Sequence, residues 1–160
     1  MRVEINLNRQ TLSVLDDAGH TVRVYPVSTA ANGAGEQAGS FCTPRGRHIV
    51  RAKIGAGQPL GAVFRARRPT GELYSPELGE AEPERDWILT RILWLSGKEP
   101  GFNRLGACDT MRRYIYIHGT PDEGFVQAPR SHGCIRMRNA DVAELFDLVP
   151  PYTEVDIVEG

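Results

Sequence analysis

The sequence predicts a mainly β domain occupying residues 1–160 as one unit, on three observations. Segments with apolar residues at alternate positions recur along most of the chain, the mark of strands with one buried face. Only one segment, near the C-terminus, carries convincing helical periodicity. The 160 residues hold no internal repeat, low-complexity tract or linker, and that length builds one core and not two comfortable ones.

Residues 2–7 and 11–15 alternate on either side of Asn8-Arg9-Gln10 and predict a hairpin, with Val3, Ile5 and Leu7 on one face and Leu12 and Val14 on another. The run from His20 to about Pro26 reads as a third strand, and residues 47–54 as a fourth, with His20 and His48 as strand surface residues. Between them lies a Gly-, Ala- and Ser-rich loop. Residues 55–86 are dense in Gly, Pro and charge and predict a long irregular excursion, of the kind used as a lid or specificity loop or simply solvated at the surface. Phe64, Arg65, Arg67 and Arg68 are its candidate contact residues. The β-branched and aromatic content of residues 86–97 favours a strand. Tyr114 to Ile117 predict a buried strand that delivers His118 to its end, where Gly119 breaks it. Asn139 suits a helix N-cap, ahead of an apolar stripe of Val142, Leu145, Phe146 and Val149 that Pro150-Pro151 stops. Residues 153–158 close the chain as a strand.

Composition excludes some functions. A net charge of −1 supplies no field that would recruit nucleic acid or an anionic membrane. No apolar run is long enough to span a bilayer. Cys42, Cys108 and Cys134 are odd in number and form no disulfide framework, and Cys42 and Cys108 read as structural. The N-terminus runs straight into strand-like sequence without the parts of a signal peptide. The expected location is therefore cytoplasmic, or periplasmic if a leader precedes Met1 in the gene.

The chemistry concentrates in Ser131-His132-Gly133-Cys134, followed by Arg136. Small polar neighbours are unusual housing for a buried structural cysteine, yet a lone cysteine is more often a small hydrophobe than a nucleophile. A thiol attacks as its thiolate and needs a base or a lowered pKa. His132 sits too close in sequence to turn its ring onto Cys134, whereas His118, at a strand end, can be held at one angle with a backbone carbonyl orienting its second nitrogen. Gly133 allows close approach to the backbone, so that the Gly133 and Cys134 N–H groups can face a developing oxyanion. Arg136 can grip a carboxylate. A zinc site of His118, His132, Cys134 and Cys108 is the competing reading, but its spacing is tighter than usual and no CxxC or HxxxH pair accompanies it.

The "IHGT" of residues 117–120 followed by "SHGCIRM" of residues 131–137 resembles the signature of L,D-transpeptidase (YkuD-like) catalytic domains. The resemblance extends through "TPRGRHIV", "ILTRILWLSGKEPGFNRLG", "DTMRRYIYIHGT" and the closing helix and strand. It implies a β-barrel or sandwich with one clear helix after the cysteine, and no metal or organic cofactor. By position it implies Cys134 as nucleophile, His118 as base, the Gly119 carbonyl orienting the imidazole, Ser131, His132 and Gly133 shaping the pocket, and Arg136 ordering the site or substrate. The implied partner is a peptidoglycan stem tetrapeptide, cut between its third residue and the terminal D-alanine. The segment "FVQAPR" lacks the glycine that many relatives carry near Gln127, which predicts a different pocket entrance. With no export signal in view, the expected activity is an L,D-carboxypeptidase of peptidoglycan recycling. The alternatives are an exported, crosslinking L,D-transpeptidase and a non-catalytic stem-peptide binding module.

Overall fold

The computed structural model describes residues 1–160, and its ten strands belong to one sheet. The strands are β1 (Arg2–Asn6), β2 (Thr11–Leu15), β3 (Thr21–Pro26), β4 (Gly46–Ile54), β5 (Ala62–Arg65), β6 (Arg68–Leu73), β7 (Ile88–Gly97), β8 (Tyr116–Gly119), β9 (Ile135–Met137) and β10 (Glu154–Val158). Two helices accompany them, the six-residue α1 (Pro76–Ala81) and α2 (Asn139–Leu148). Pairing runs β3-β2-β1-β10-β4-β7, and β7 continues along its other edge through β8 to β9. Just past β3, Ser28 and Arg136 exchange both backbone hydrogen bonds, at 2.9 and 2.8 Å. That bridge joins the last strand to the first and closes the sheet into a ring, the device that removes exposed sheet edges.

Twenty buried apolar residues from every strand of the ring and from α2 form the main core. Val3 pairs with Val14 and Ile5 with Leu12, and all four are buried in that core. The hairpin therefore turns both its apolar sets to the same side, because cross-strand partners share a face, where the sequence had suggested separate faces. On α2, Val142, Leu145 and Phe146 are buried, and Val149 follows them into the core.

Four local expectations are corrected. Residues 55–86 are not irregular: β5 and β6 form a hairpin with a two-residue turn, α1 follows, and Val63, Trp87 and Leu89 pack beneath with Tyr74 and Leu78. The strand carrying His118 begins at Tyr116, since Tyr114 is exposed with left-handed backbone (φ 57°). Asn139 is the first residue of α2 and not its cap; Arg138 takes the cap position, and the Asn139 side chain is buried. His48 is no surface residue: it is fully buried, with Nδ1 3.0 Å from the Gly46 carbonyl and Nε2 3.0 Å from Thr110 Oγ1.

Candidate active site

Strands β8 and β9 run parallel, with His118 opposite Arg136 and Ile117 opposite Ile135. Successive side chains point to opposite faces of a strand. Ile115, Ile117, Ile135 and Met137 therefore enter the main core. Tyr116, His118, Cys134 and Arg136 share the outer face. There Cys134 packs on a second, small apolar cluster of Ala62, Phe64, Ile92 and Tyr116, which the β5–β6 hairpin helps to build. The thiol is thus a diagonal neighbour of the imidazole, brought there by two adjacent strands and not by sequence proximity.

His118 is buried, and its Nδ1 lies 2.7 Å from the Gly119 carbonyl oxygen. A carbonyl only accepts, so in the neutral ring Nδ1 carries the proton and Nε2 presents its lone pair. Gly119 is needed at this corner, because a Cβ there would lie 2.4 Å from Asn139 Oδ1 and 2.6 Å from the Leu89 carbonyl. Asn139 fixes the following turn: its Nδ2 donates to the Thr120 carbonyl at 3.0 Å, and its Oδ1 accepts from Thr90 Oγ1 at 2.5 Å. Thr90 sits at a bulge in β7 with φ 72°, a strained conformation for a β-branched residue.

The Cys134 sulfur accepts from the Tyr116 N–H and donates to the Tyr114 carbonyl, each at 3.4 Å. Burial pushes this thiol up to about 11, with the Tyr116 N–H and the Arg136 and Arg113 guanidinium groups pulling the other way. Burial also pushes His118 below its ordinary range, against the opposing effect of the Gly119 hydrogen bond. The resting pair is therefore a neutral thiol beside a neutral imidazole.

The turn before Cys134 is clamped from several sides. Ser131 Oγ donates to the Cys134 carbonyl at 2.6 Å and accepts from the Gly133 N–H at 3.3 Å. The Gly133 amide is thus occupied, while no hydrogen bond uses the Cys134 N–H, leaving it as the free donor beside the sulfur. Gly133 has φ 129°, and a Cβ on it would crowd Ile115 at 3.1 Å. Thr43 Oγ1 donates to the Gly133 carbonyl at 2.9 Å and accepts from the Ala30 N–H at 3.0 Å. Arg113 holds the same loop through the Cys42 carbonyl at 2.6 Å. His132 points away into solvent, edge-on to Phe41, and lines a cleft of about 260 Å³ with Arg112 and Arg113. His118, His132, Cys134 and Cys108 do not converge as metal ligands.

Arg136 is half-buried, and its guanidinium lies 3.6 Å from the largely exposed Asp86 carboxylate. Above the two tyrosines, the β5–β6 hairpin lays Arg67 across the face. Its guanidinium lies 4.6 Å from the Trp94 ring centroid and 5.2 Å from that of Tyr114, and its Nη1 donates to Tyr116 Oη at 2.9 Å. Of the residues to which the sequence points, the fold brings His118, Gly119, Ser131, Gly133, Cys134 and Arg136 together and turns His132 outward. The sequence does not mark Thr43, Asp86, Arg113, Tyr116 and Asn139 as supports. Thr43, Asp86 and Arg113 reach the site from distant elements with no motif of their own, whereas Tyr116 shares β8 with His118 and Asn139 follows just after β9.

Residues 1–157 match the profile of the YkuD family, described as the L,D-transpeptidase catalytic domain. A Bacillus licheniformis protein provisionally named L,D-transpeptidase YkuD is 27% identical over 159 residues, which cover 98% of this chain and 64% of that one. Among solved structures, the L,D-transpeptidase of Xylanimonas cellulosilytica superposes with a TM-score of 0.55 at 22% identity, over 98% of this chain and 59% of that one. L,D-transpeptidase 3 of Mycobacterium tuberculosis does so with a TM-score of 0.58 at 16% identity, over 98% and 60% respectively. At such identities the structural likeness is one of fold. The chain spans less than two thirds of the length of each of these relatives.

Proposed function

The chain belongs to the YkuD family of L,D-transpeptidase catalytic domains, and from that premise we propose that it is a cysteine acyl-transfer enzyme acting on peptidoglycan stem tetrapeptides. The observation that carries this reading is the 2.7 Å bond from His118 Nδ1 to the Gly119 carbonyl. It presents a basic Nε2 on the same face as a cysteine held by the neighbouring strand.

In the resting state the thiol proton lies toward the Tyr114 carbonyl. Rotation about the Cys134 Cα–Cβ bond turns it to His118, which takes the proton as the sulfur adds to the carbonyl of the third stem residue. The oxyanion meets the free Cys134 N–H. Collapse breaks the amide bond, and the imidazolium returns its proton to the departing D-alanine amine. The thioester then accepts water, deprotonated by His118, to give the tripeptide acid and the thiol. An amine in place of water gives a crosslink.

The L,D-carboxypeptidase outcome is the preferred one. A recess lined by Ser28, Thr120, Phe125, Arg130 and Arg136, the last being the register partner of His118 across β8 and β9, holds about 20 Å³. That is room for one water, the nucleophile that hydrolysis requires. The test is incubation with a tetrapeptide, with and without an amine acceptor, beside Cys134→Ala. Free D-alanine and tripeptide with no dimer are expected. Crosslinked product would replace hydrolysis by transpeptidation, and D-alanine release by Cys134→Ala would end the covalent mechanism. A folded protein that releases nothing and leaves Cys134 unacylated would leave a stem-peptide binding module.

A further inference from the structure

Arg136, the carboxylate-binding candidate of the sequence, has a carboxylate partner in Asp86 at 3.6 Å. Arg67 is different. Its guanidinium meets no carboxylate within 4.0 Å, and its fixed contacts are one phenol oxygen and the faces of Trp94 and Tyr114. A guanidinium has five N–H donors, and Arg67 donates only one within the protein. Its place over the two rings leaves its remaining donors free for a planar anion.

Its position matters as much as its charge. Tyr116 joins the two centres: its backbone N–H is 3.4 Å from the Cys134 sulfur, and its hydroxyl is 2.9 Å from Arg67 Nη1. The guanidinium therefore stands one tyrosine side chain from the thiol. In an L,D-peptide substrate, the carboxylate of the leaving D-residue lies one residue, about 3.8 Å, beyond the reacting carbonyl. A carbon–sulfur bond at one end and a hydrogen bond at the other would hold the substrate between the thiol and the guanidinium, the two groups that Tyr116 joins.

The backbone bears this out. Arg67 occupies the β5–β6 turn with φ 66°, beside Ala66 at φ 49°. Glycine and asparagine are the residues that suit such a turn, and a long side chain held there carries a conformational cost. The cost is matched by a side chain aimed at the site.

We propose that Arg67 binds the terminal carboxylate of the D-residue that leaves, and so makes the enzyme select peptides with a free C-terminus. This inference rests on the acyl-transfer reading above and deepens it. It predicts that the hairpin places the leaving group while β8 and β9 supply the chemistry.

The test compares a tetrapeptide ending in D-alanine with its C-terminal carboxamide, for the unaltered protein, Arg67→Gln and Arg67→Lys. A charge-assisted hydrogen bond corresponds to roughly ten- to hundred-fold in specificity. The unaltered protein should prefer the acid by about that factor. Arg67→Gln should lose the preference by a rise in KM for the acid alone, and Arg67→Lys should keep part of it. An acid preference that survives in Arg67→Gln, or equal losses on acid and amide, would overturn the inference while leaving the acyl-transfer reading intact. Release of neither D-alanine from the acid nor D-alaninamide from the amide by the unaltered protein would overturn both.

Discussion

A thiol pushed up to about 11 and an imidazole pushed below its ordinary range make Cys134 and His118 a neutral pair at rest, in contrast to a stored thiolate–imidazolium pair. As the proposed base, His118 works only when unprotonated. The kcat/KM profile should therefore stay level from about pH 7 into the alkaline range and fall only as pH drops below the ordinary imidazole value of about 6.5. Site-resolved alkylation of Cys134 should keep accelerating with pH until about 11. A plateau already reached in mildly acidic solution would mean a preformed ion pair. His118→Ala should lower the rate roughly hundred- to ten-thousand-fold, and unchanged kinetics would place the base elsewhere. Gly119→Ala should damage both fold and rate, because its Cβ would meet Asn139 Oδ1 and the Leu89 carbonyl, both held in place. At this scale the sequence was most informative. The types Ser-His-Gly-Cys and His-Gly carry their chemistry in their identity. Their supports, Thr43 and Asn139, act only through hydrogen bonds that the fold creates.

Among the elements, strands with clean alternation were legible, and the segment at 55–86 was not. Its apolar residues Ala62, Val63 and Phe64 are buried because β5 finds β7 as a partner, Val63 pairing with Leu89 and Phe64 with Ile88. Short apolar runs among Gly, Pro and charge do not announce such a pairing. The β5–β6 turn puts two non-glycine residues at positive φ. Ala66→Asn should relieve part of that strain and stabilise the protein by up to about 1 kcal/mol, read as a rise in Tm with Arg67 retained. At His48, in β4, alternation predicts a face but not what covers it. Residue Thr110 and the Gly46 carbonyl satisfy both its ring nitrogens in a fully buried site. Burial lowers its pKa to about 4, so between that value and the ordinary one the unfolded chain binds the extra proton. Stability should consequently fall as pH drops from about 6.5 toward 4, by about 3 kcal/mol in total. Denaturant titrations of His48→Gln should lack most of that slope, and an unchanged slope would assign it to other groups.

For the whole molecule, the ring closes where Ser28 pairs with Arg136, beside the cysteine, and the loop between β3 and β4 clamps the turn that presents the thiol. Closure was not legible, since an isolated bridge between residues more than a hundred positions apart leaves no local pattern. The consequence is that site geometry and global stability share contacts. Thr43→Val keeps the shape but leaves the buried Ala30 N–H and the Gly133 carbonyl without their partner. It should cost about 2 kcal/mol and lower kcat, and a loss of stability with kcat unchanged would uncouple the clamp from the chemistry. The account as a whole turns on one covalent bond. Intact-mass and peptide-mapping spectrometry of the protein, quenched during turnover of a stem tetrapeptide, looks for it directly. The prediction is an acyl group, the tetrapeptide less D-alanine, on the peptide bearing Cys134 and absent from Cys134→Ala. Turnover without that adduct, or with the acyl group on Cys42 or Cys108, would contradict it.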